Sequence, residues 1–230
     1  MLKTRTPQYL ALFRHGESAA NVVTQVSTDA HYYEISGSDP EVGLTENGLA
    51  QALESGRVLA RLFPEDAPID SLRLSPFRRV DQSADQVDKG LGYSPRRKVD
   101  KRLSKRSYGA FWNLTYRGLQ ELHPHEHTAY LQTGKFLYRA PGGGENYPDV
   151  FARVAEFVAE EVNPSTENIA IGTHSVVILA VQRQFEGLAD DEVLRRYEEV
   201  ALPNGHVVLY VRDHPSQPWR RCPIAVEAKP

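Results

Sequence analysis

The sequence predicts an α/β fold, with a mostly parallel central sheet and helices on both faces. Two patterns predict it, and the chain length fits. Two short apolar runs, Tyr9 to Phe13 and Ile169 to Gly172, and a third strand-like segment, Ile69 to Leu74, each stop at a polar residue or a breaker, as buried parallel strands do. Between them lie segments whose apolar residues recur at helical spacing, and such alternation implies a sheet covered on both faces. A chain of 230 residues is long enough for one full core and short for two, so residues 1–230 are read as a single domain.

Taken in order, Tyr9 to Phe13 is the first strand and Gly16 to Ser27 a helix. Thr28 to Gly43 reads as a polar loop containing Gly37, Asp39-Pro40 and the pair Tyr32-Tyr33; structureless segments of that length are usually functional. Thr45 is a helix cap, followed by Leu49, Ala52, Leu53, Gly56, Leu59, Ala60 and Phe63 at helical spacing until Pro64 stops the pattern. Ile69 to Leu74 is the second strand and leads through Ser75-Pro76 into a helix carrying Arg78 and Arg79. Arg96 to Val99 reads as a short strand. From about 103 to 144 clean periodicity is lost and Tyr, Trp, Phe and His accumulate, which reads as an insertion over the site. Val150, Val154, Phe157 and Val158 mark the next helix, Ile169 to Gly172 a buried strand and Val176 to Phe185 a helix behind it. His206 to Val211 is expected to close the sheet, and the tail after Asp213 to be partly ordered through Trp219 and Ile224.

Composition narrows the function classes. With a formal net charge of -3, nothing global attracts nucleic acid or a membrane surface, so any anion site has to be local. A single cysteine, Cys222, excludes an intrachain disulfide and a cysteine-rich zinc site. The first residues lack a signal-peptide core, and no run approaches the roughly 20 apolar residues of a membrane span. A cytoplasmic protein is the expectation.

Local chemistry begins at Arg14 and His15. In open α/β sheets, ligands sit beyond the carboxyl ends of the strands, where these two residues stand. Gly16 is expected to let the backbone turn tightly into a helix whose first N–H groups face an anion held by the arginine. That geometry suits phosphate, although a lone Arg-His-Gly reads more often as a structural histidine at a strand end.

Other segments change the weighing. Arg14-His15-Gly16-Glu17-Ser18 with Asn21, Leu44-Thr45 with Gly48, Ser75-Pro76 with Arg79, Gly143-Gly144-Glu145, Thr173-His174-Ser175 and Leu202-Pro203-Asn204 occur in that order. The order resembles the histidine phosphatase superfamily, with its phosphoglycerate mutase-like fold, from about Tyr9 to Tyr210. The resemblance implies a phosphatase-type enzyme that passes a phosphoryl group through a covalent phosphohistidine at His15. It needs no metal or other cofactor, and its partner is a small phosphorylated substrate. Arg14 and Arg79 would grip the oxygens, since guanidinium forks match phosphate. By the same resemblance His174 donates to the phosphate, and Asn21 is a further donor. Ser175, where the family usually has Gly, is a mild departure. In Phe136-Leu137-Tyr138-Arg139-Ala140-Pro141-Gly142, which resembles a segment of phosphatase-type members, Arg139 is a candidate substrate contact; its competing reading is a surface charge.

Lys105 is the serious departure. The family places an acidic residue there, which protonates the leaving oxygen and then activates water. Lysine starts from about 10.4 and is ordinarily held as a cation, and losing a general acid costs about 10² to 10⁴ in rate. The expectation is an impaired shuttle, which Lys105→Glu would restore; Glu121, Glu126 and Glu145 are possible substitutes for the acid. An altered shuttle keeps a phosphate-ligand binding or regulatory protein open, and the resemblance itself keeps open a sugar-phosphate mutase, which uses the same apparatus. His123, His125 and His127 alternate as metal ligands on a strand would, but Pro124 argues against a strand, and they read better as bracing for the insertion.

Overall fold

The computed structural model describes residues 7–25, 28–199 and 202–224. Strand β1 (Gln8–Arg14) lies inside a six-stranded sheet of order β3-β2-β4-β1-β5-β6, with β2 at Ser71–Leu74, β3 at Arg96–Val99, β4 at Ile169–Thr173, β5 at Val207–Arg212 and β6 at Arg220–Cys222. β3, β2, β4 and β1 run parallel, while β5 is antiparallel to both β1 and β6.

The two-residue repeat of a strand divides β1 between two cores. Leu10 and Leu12 face the layer of α6 (Tyr147–Phe157), α7 (Ser175–Glu186) and α8 (Asp190–Glu199), packing with Val150, Val154, Phe157, Val177 and Val181. Ala11 and Phe13 face α2 (Glu46–Leu62) and α3 (Arg78–Leu91), where Leu59, Val80, Ala84 and Val87 cover them. Burial on both faces accounts for the unbroken apolar run. α2 begins at the expected cap, the Thr45 hydroxyl accepting from the Gly48 N–H at 3.0 Å.

Register positions the site. Arg14 pairs with Thr173 across β1 and β4, and Leu74 with Gly172 across β2 and β4, so three strands reach their carboxyl ends together. His15, Ser75 and His174 are the next residues of each. The segment 103–144 contains α4 (Tyr116–Leu122) and α5 (Pro124–Leu137).

Two expectations need correction, and one helix has no counterpart in the sequence reading. The helix after His15 starts at Ala19 and is seven residues long, because the Gly16 and Glu17 N–H groups are bound by side chains of α3 and α2 and the Ser18 N–H by Asn21; the part expected over residues 26–27 lies outside the described residues. β5 does not close the sheet: Trp219 is buried against the Arg212 guanidinium, 4.3 Å away, and the chain returns as β6. α8 was not foreseen, since a helix with Asp190, Asp191 and Glu192 in its first turn shows few apolar residues.

Candidate active site

At the shared strand ends lies a cavity of about 360 Å³, lined by Arg14, His15, Asn21, Arg79, Lys105 and His174 among others. Six of the seven candidates therefore meet. Arg139 does not line it: its side chain is 59% exposed and paired with Asp149 in the first turn of α6.

His15 is buried, and its Nδ1 lies 2.7 Å from the Gly16 carbonyl. A carbonyl oxygen can only accept, so Nδ1 carries the proton and Nε2 keeps its lone pair. Burial, and then the Arg79 charge, push this imidazole well below its ordinary value, so it stays neutral at physiological pH. The His174 ring lies 5.0 Å from that of His15, with Nε2 at 2.9 Å from the Ser75 hydroxyl and a buried Nδ1 that lacks a partner. Burial, with His15 and Arg79 adding to it, depresses this ring as well.

The arginines are held by other means. Arg14 donates from Nη1 to the Leu202 carbonyl, and its Nε is buried without a partner. Arg79, 2% exposed, donates to the Asp39 carbonyl at 2.7 Å and to Asp39 Oδ1 at 3.0 Å. Arg78 beside it is exposed. Asn21 accepts through Oδ1 from the Ser18 N–H, the Ser18 hydroxyl and Asn204 Nδ2. Three donors on one oxygen fix the amide orientation and leave Nδ2 as the group able to donate to a ligand. Asn204 also binds the His15 carbonyl at 3.1 Å, which gives the Leu-Pro-Asn motif its local purpose.

Gly16 serves differently from the sequence expectation. A Cβ there would lie 2.0 Å from the Gly48 carbonyl oxygen, and one on Gly48 would lie 2.0 Å from that of Glu17, so the two glycines let two backbones touch. The amides after His15 do not wait for an anion: the Gly16 N–H goes to Ser83 Oγ, the Glu17 N–H to Gln51 Oε1 and the Ser18 N–H to Asn21 Oδ1.

A sequence model of the histidine phosphatase superfamily, branch 1, matches residues 10–217. The chain belongs to this superfamily. It is 29% identical over 197 residues to a phosphoglycerate mutase-like protein of Arabidopsis thaliana, covering 76% of this chain and 64% of that protein. It is 28% identical over 189 residues to fructose-2,6-bisphosphatase of Saccharomyces cerevisiae, covering 81% of this chain and 36% of the relative. The chain thus spans less than two thirds of the length of either. A solved alpha-ribazole-5'-P phosphatase, described as putative, from Escherichia coli shares the fold with a TM-score of 0.69 at 19% identity, covering 93% and 95% of the two chains.

Within this histidine phosphatase fold, some site residues had little sequence signal. Arg106 is buried in the cavity wall with its guanidinium 4.4 Å from the Tyr108 ring and 4.9 Å from that of Tyr147. Burial raises the Tyr108 hydroxyl, but the Arg106 and Lys105 charges more than reverse this and leave it below its ordinary value. Asp39, in the long loop, binds Lys105 Nζ through Oδ2 at 2.9 Å while holding Arg79. The only advance sign of Asp39 was charge balance, since clustered cations need a counter-charge.

None of the three glutamates weighed as substitute acids lines this cavity. Glu121 is bound to His31 and Arg117, Glu126 to the Tyr138 hydroxyl and Glu145 to Arg153. His123, His125 and His127 lie at and within the start of α5, on a helix rather than a strand, and His127 bonds the Tyr116 hydroxyl at 2.8 Å. Among the described residues no helix is long and apolar enough to cross a membrane.

Proposed function

We propose that this chain is a phosphomonoesterase that transfers the phosphoryl group of a small phosphorylated substrate to His15 and then to water, without a metal, in the cytoplasm. The observation that carries the reading is the His15 ring: buried, neutral, with its proton held on Nδ1 by Gly16 and its lone pair on Nε2 in the cavity wall. A nucleophile toward phosphorus needs that lone pair.

In the first step Nε2 attacks phosphorus, the N–P bond forms and the ester O–P bond breaks. Charge spread over the non-bridging oxygens is met by Arg14, Arg79, the Asn21 amide and His174. With the Ser75 hydroxyl donating to its Nε2, His174 carries its proton on the partnerless Nδ1, which a phosphate oxygen would satisfy. In the second step water attacks phosphorus, the N–P bond breaks and its electron pair returns to His15. Lys105 is the one observation favouring a second reading, a phosphate-ligand binding or regulatory protein with a slow second step.

The test is turnover of para-nitrophenyl phosphate with an acid-labile phosphoryl label as the companion measurement. Label and turnover are expected in the parent, unaffected by chelators, and absent from folded His15→Ala. Turnover by His15→Ala within a few-fold of the parent would remove the covalent mechanism.

A further inference from the structure

The lysine at the acid position is not a lone ammonium. Its Nζ lies 2.9 Å from Asp39 Oδ2, and the other oxygen of that carboxylate is 3.0 Å from Arg79 Nη2. The Asp39 side chain is only 13% exposed, and its backbone carbonyl also accepts from Arg79. One loop residue therefore orients two cations that line the cavity, at an angle set by three bonds. Lys105 lines both the phosphate cavity and a neighbouring groove of about 690 Å³, which Asp39 also lines. The lysine thus stands in the wall between the phosphate site and a second open space.

We propose that Lys105, positioned by Asp39, is the proton shuttle of this enzyme, taking over the role that a carboxylic acid plays elsewhere in the superfamily. The proposal rests on the phosphohistidine reading and adds where its protons go. In the first step the ester oxygen leaves with the electron pair of the O–P bond and takes a proton from the Lys105 ammonium, which becomes a neutral amine. In the second step the attacking water gives its proton to that amine as the new O–P bond forms and the N–P bond breaks. Lys105 ends as the ammonium it began as, and the sum is ester plus water to alcohol plus phosphate. The amine that serves as base is made by the first step, so the resting ammonium is no obstacle to the second. Asp39 is a positioning residue, since it acts through Lys105 and Arg79.

The alternative is that Lys105 supplies charge alone, and leaving-group dependence separates the two. An aryl phosphate leaves with little need of a proton, whereas an alkyl phosphate needs one. Lys105→Met is expected to lower kcat/KM on an alkyl phosphate at least about tenfold more than on para-nitrophenyl phosphate, the lower part of the general-acid range. Lys105→Arg keeps the charge and the ability to pair with Asp39, but a guanidinium does not release its proton in a protein. It is expected to bind inorganic phosphate within about threefold of the parent while losing alkyl turnover as Lys105→Met does. Asp39→Asn, checked for folding by its thermal melt, is expected to shift the aryl-to-alkyl ratio in the same direction, with partial recovery in Asp39→Glu.

Equal losses on both substrates in Lys105→Met, or full alkyl turnover in Lys105→Arg, would overturn the shuttle while leaving the phosphohistidine intact. So would a tenfold gain of alkyl turnover in Lys105→Glu, the outcome the sequence alone implies. A parent with neither turnover nor label sinks both readings.

Discussion

Gly48→Ala tests whether the position of His15 depends on the contact between two backbones. The new Cβ would lie 2.0 Å from the Glu17 carbonyl oxygen and 2.8 Å from its carbonyl carbon and its nitrogen, so the segments have to part by about 1.4 Å to reach ordinary contact. Neither side can yield alone. The Glu17 carbonyl accepts from the Thr45 N–H at 2.9 Å, its N–H is held by Gln51 at 2.8 Å, and Thr45 caps α2. Overpacking of this kind costs about 1 to 3 kcal/mol. At about 2 to 4 °C per kcal/mol for a chain of this size, Tm should fall by about 2 to 12 °C. The displacement reaches His15 two residues away, and a misplacement of about 1 Å at a reacting group lowers rate about 100-fold. A thermal melt and kcat/KM on para-nitrophenyl phosphate measure the two effects. A variant with the parent's Tm and full activity would show that the close approach does not hold the nucleophile.

Two further outcomes follow from the same site. His15 and His174 are depressed in the folded chain, so below their ordinary value of 6.5 the unfolded chain binds protons that the folded chain does not. Stability present at neutral pH is therefore lost as pH falls through that value, by up to about 1.4 kcal/mol per pH unit for each ring; urea midpoints at pH 7.5 and 5 should show the loss, and a His15→Gln, His174→Gln double variant should flatten it, an unchanged slope counting against both assignments. Arg139→Ala should leave kcat/KM within about twofold and stability within about 0.5 kcal/mol, because an exposed ion pair contributes little; a tenfold loss of activity would return Arg139 to the site.

The parts of the fold readable in the sequence were those whose physics is local. β1 and β4 were visible because burial on both faces writes a nearly unbroken apolar run, β2 because Ile69, Leu72 and Leu74 lead to the Ser75-Pro76 stop, and α2 because Thr45 and Pro64 bracket a 3.6-residue repeat. α8 escaped because only Val193 and Tyr197 carry it into the core, while Arg196 with Glu186 and Glu192 and the acidic first turn fill the rest of a ten-residue segment with charge. In the site, His15, Arg79 and His174 could be placed because each follows a strand or its turn. Arg106 was a charge among other charges, and its value depends on Tyr108 and Tyr147 closing around it. Asp39 was harder still, since it sits 66 positions from Lys105 and 40 from Arg79 and only the folded chain joins them. Gly16 was noticed for a turn it does not make; its partner in the contact, Gly48, lies on another element.

Both margins of the sheet carry arginine. β3 is exposed along its whole length, yet Arg96 reaches Glu167, Arg97 reaches Asp85 and Asp88, and Lys98 reaches Glu161. On the opposite margin Arg220 is bound to Asp213 and Arg221 to Glu186. A strand from another molecule that aligned with either margin would have to displace these pairs or lie beside fixed charges, and neither is favourable. The open sheet that gathers the phosphate-facing residues at its centre is thereby guarded at its rims against fusing with its neighbours into fibres, a hazard that a closed barrel never meets.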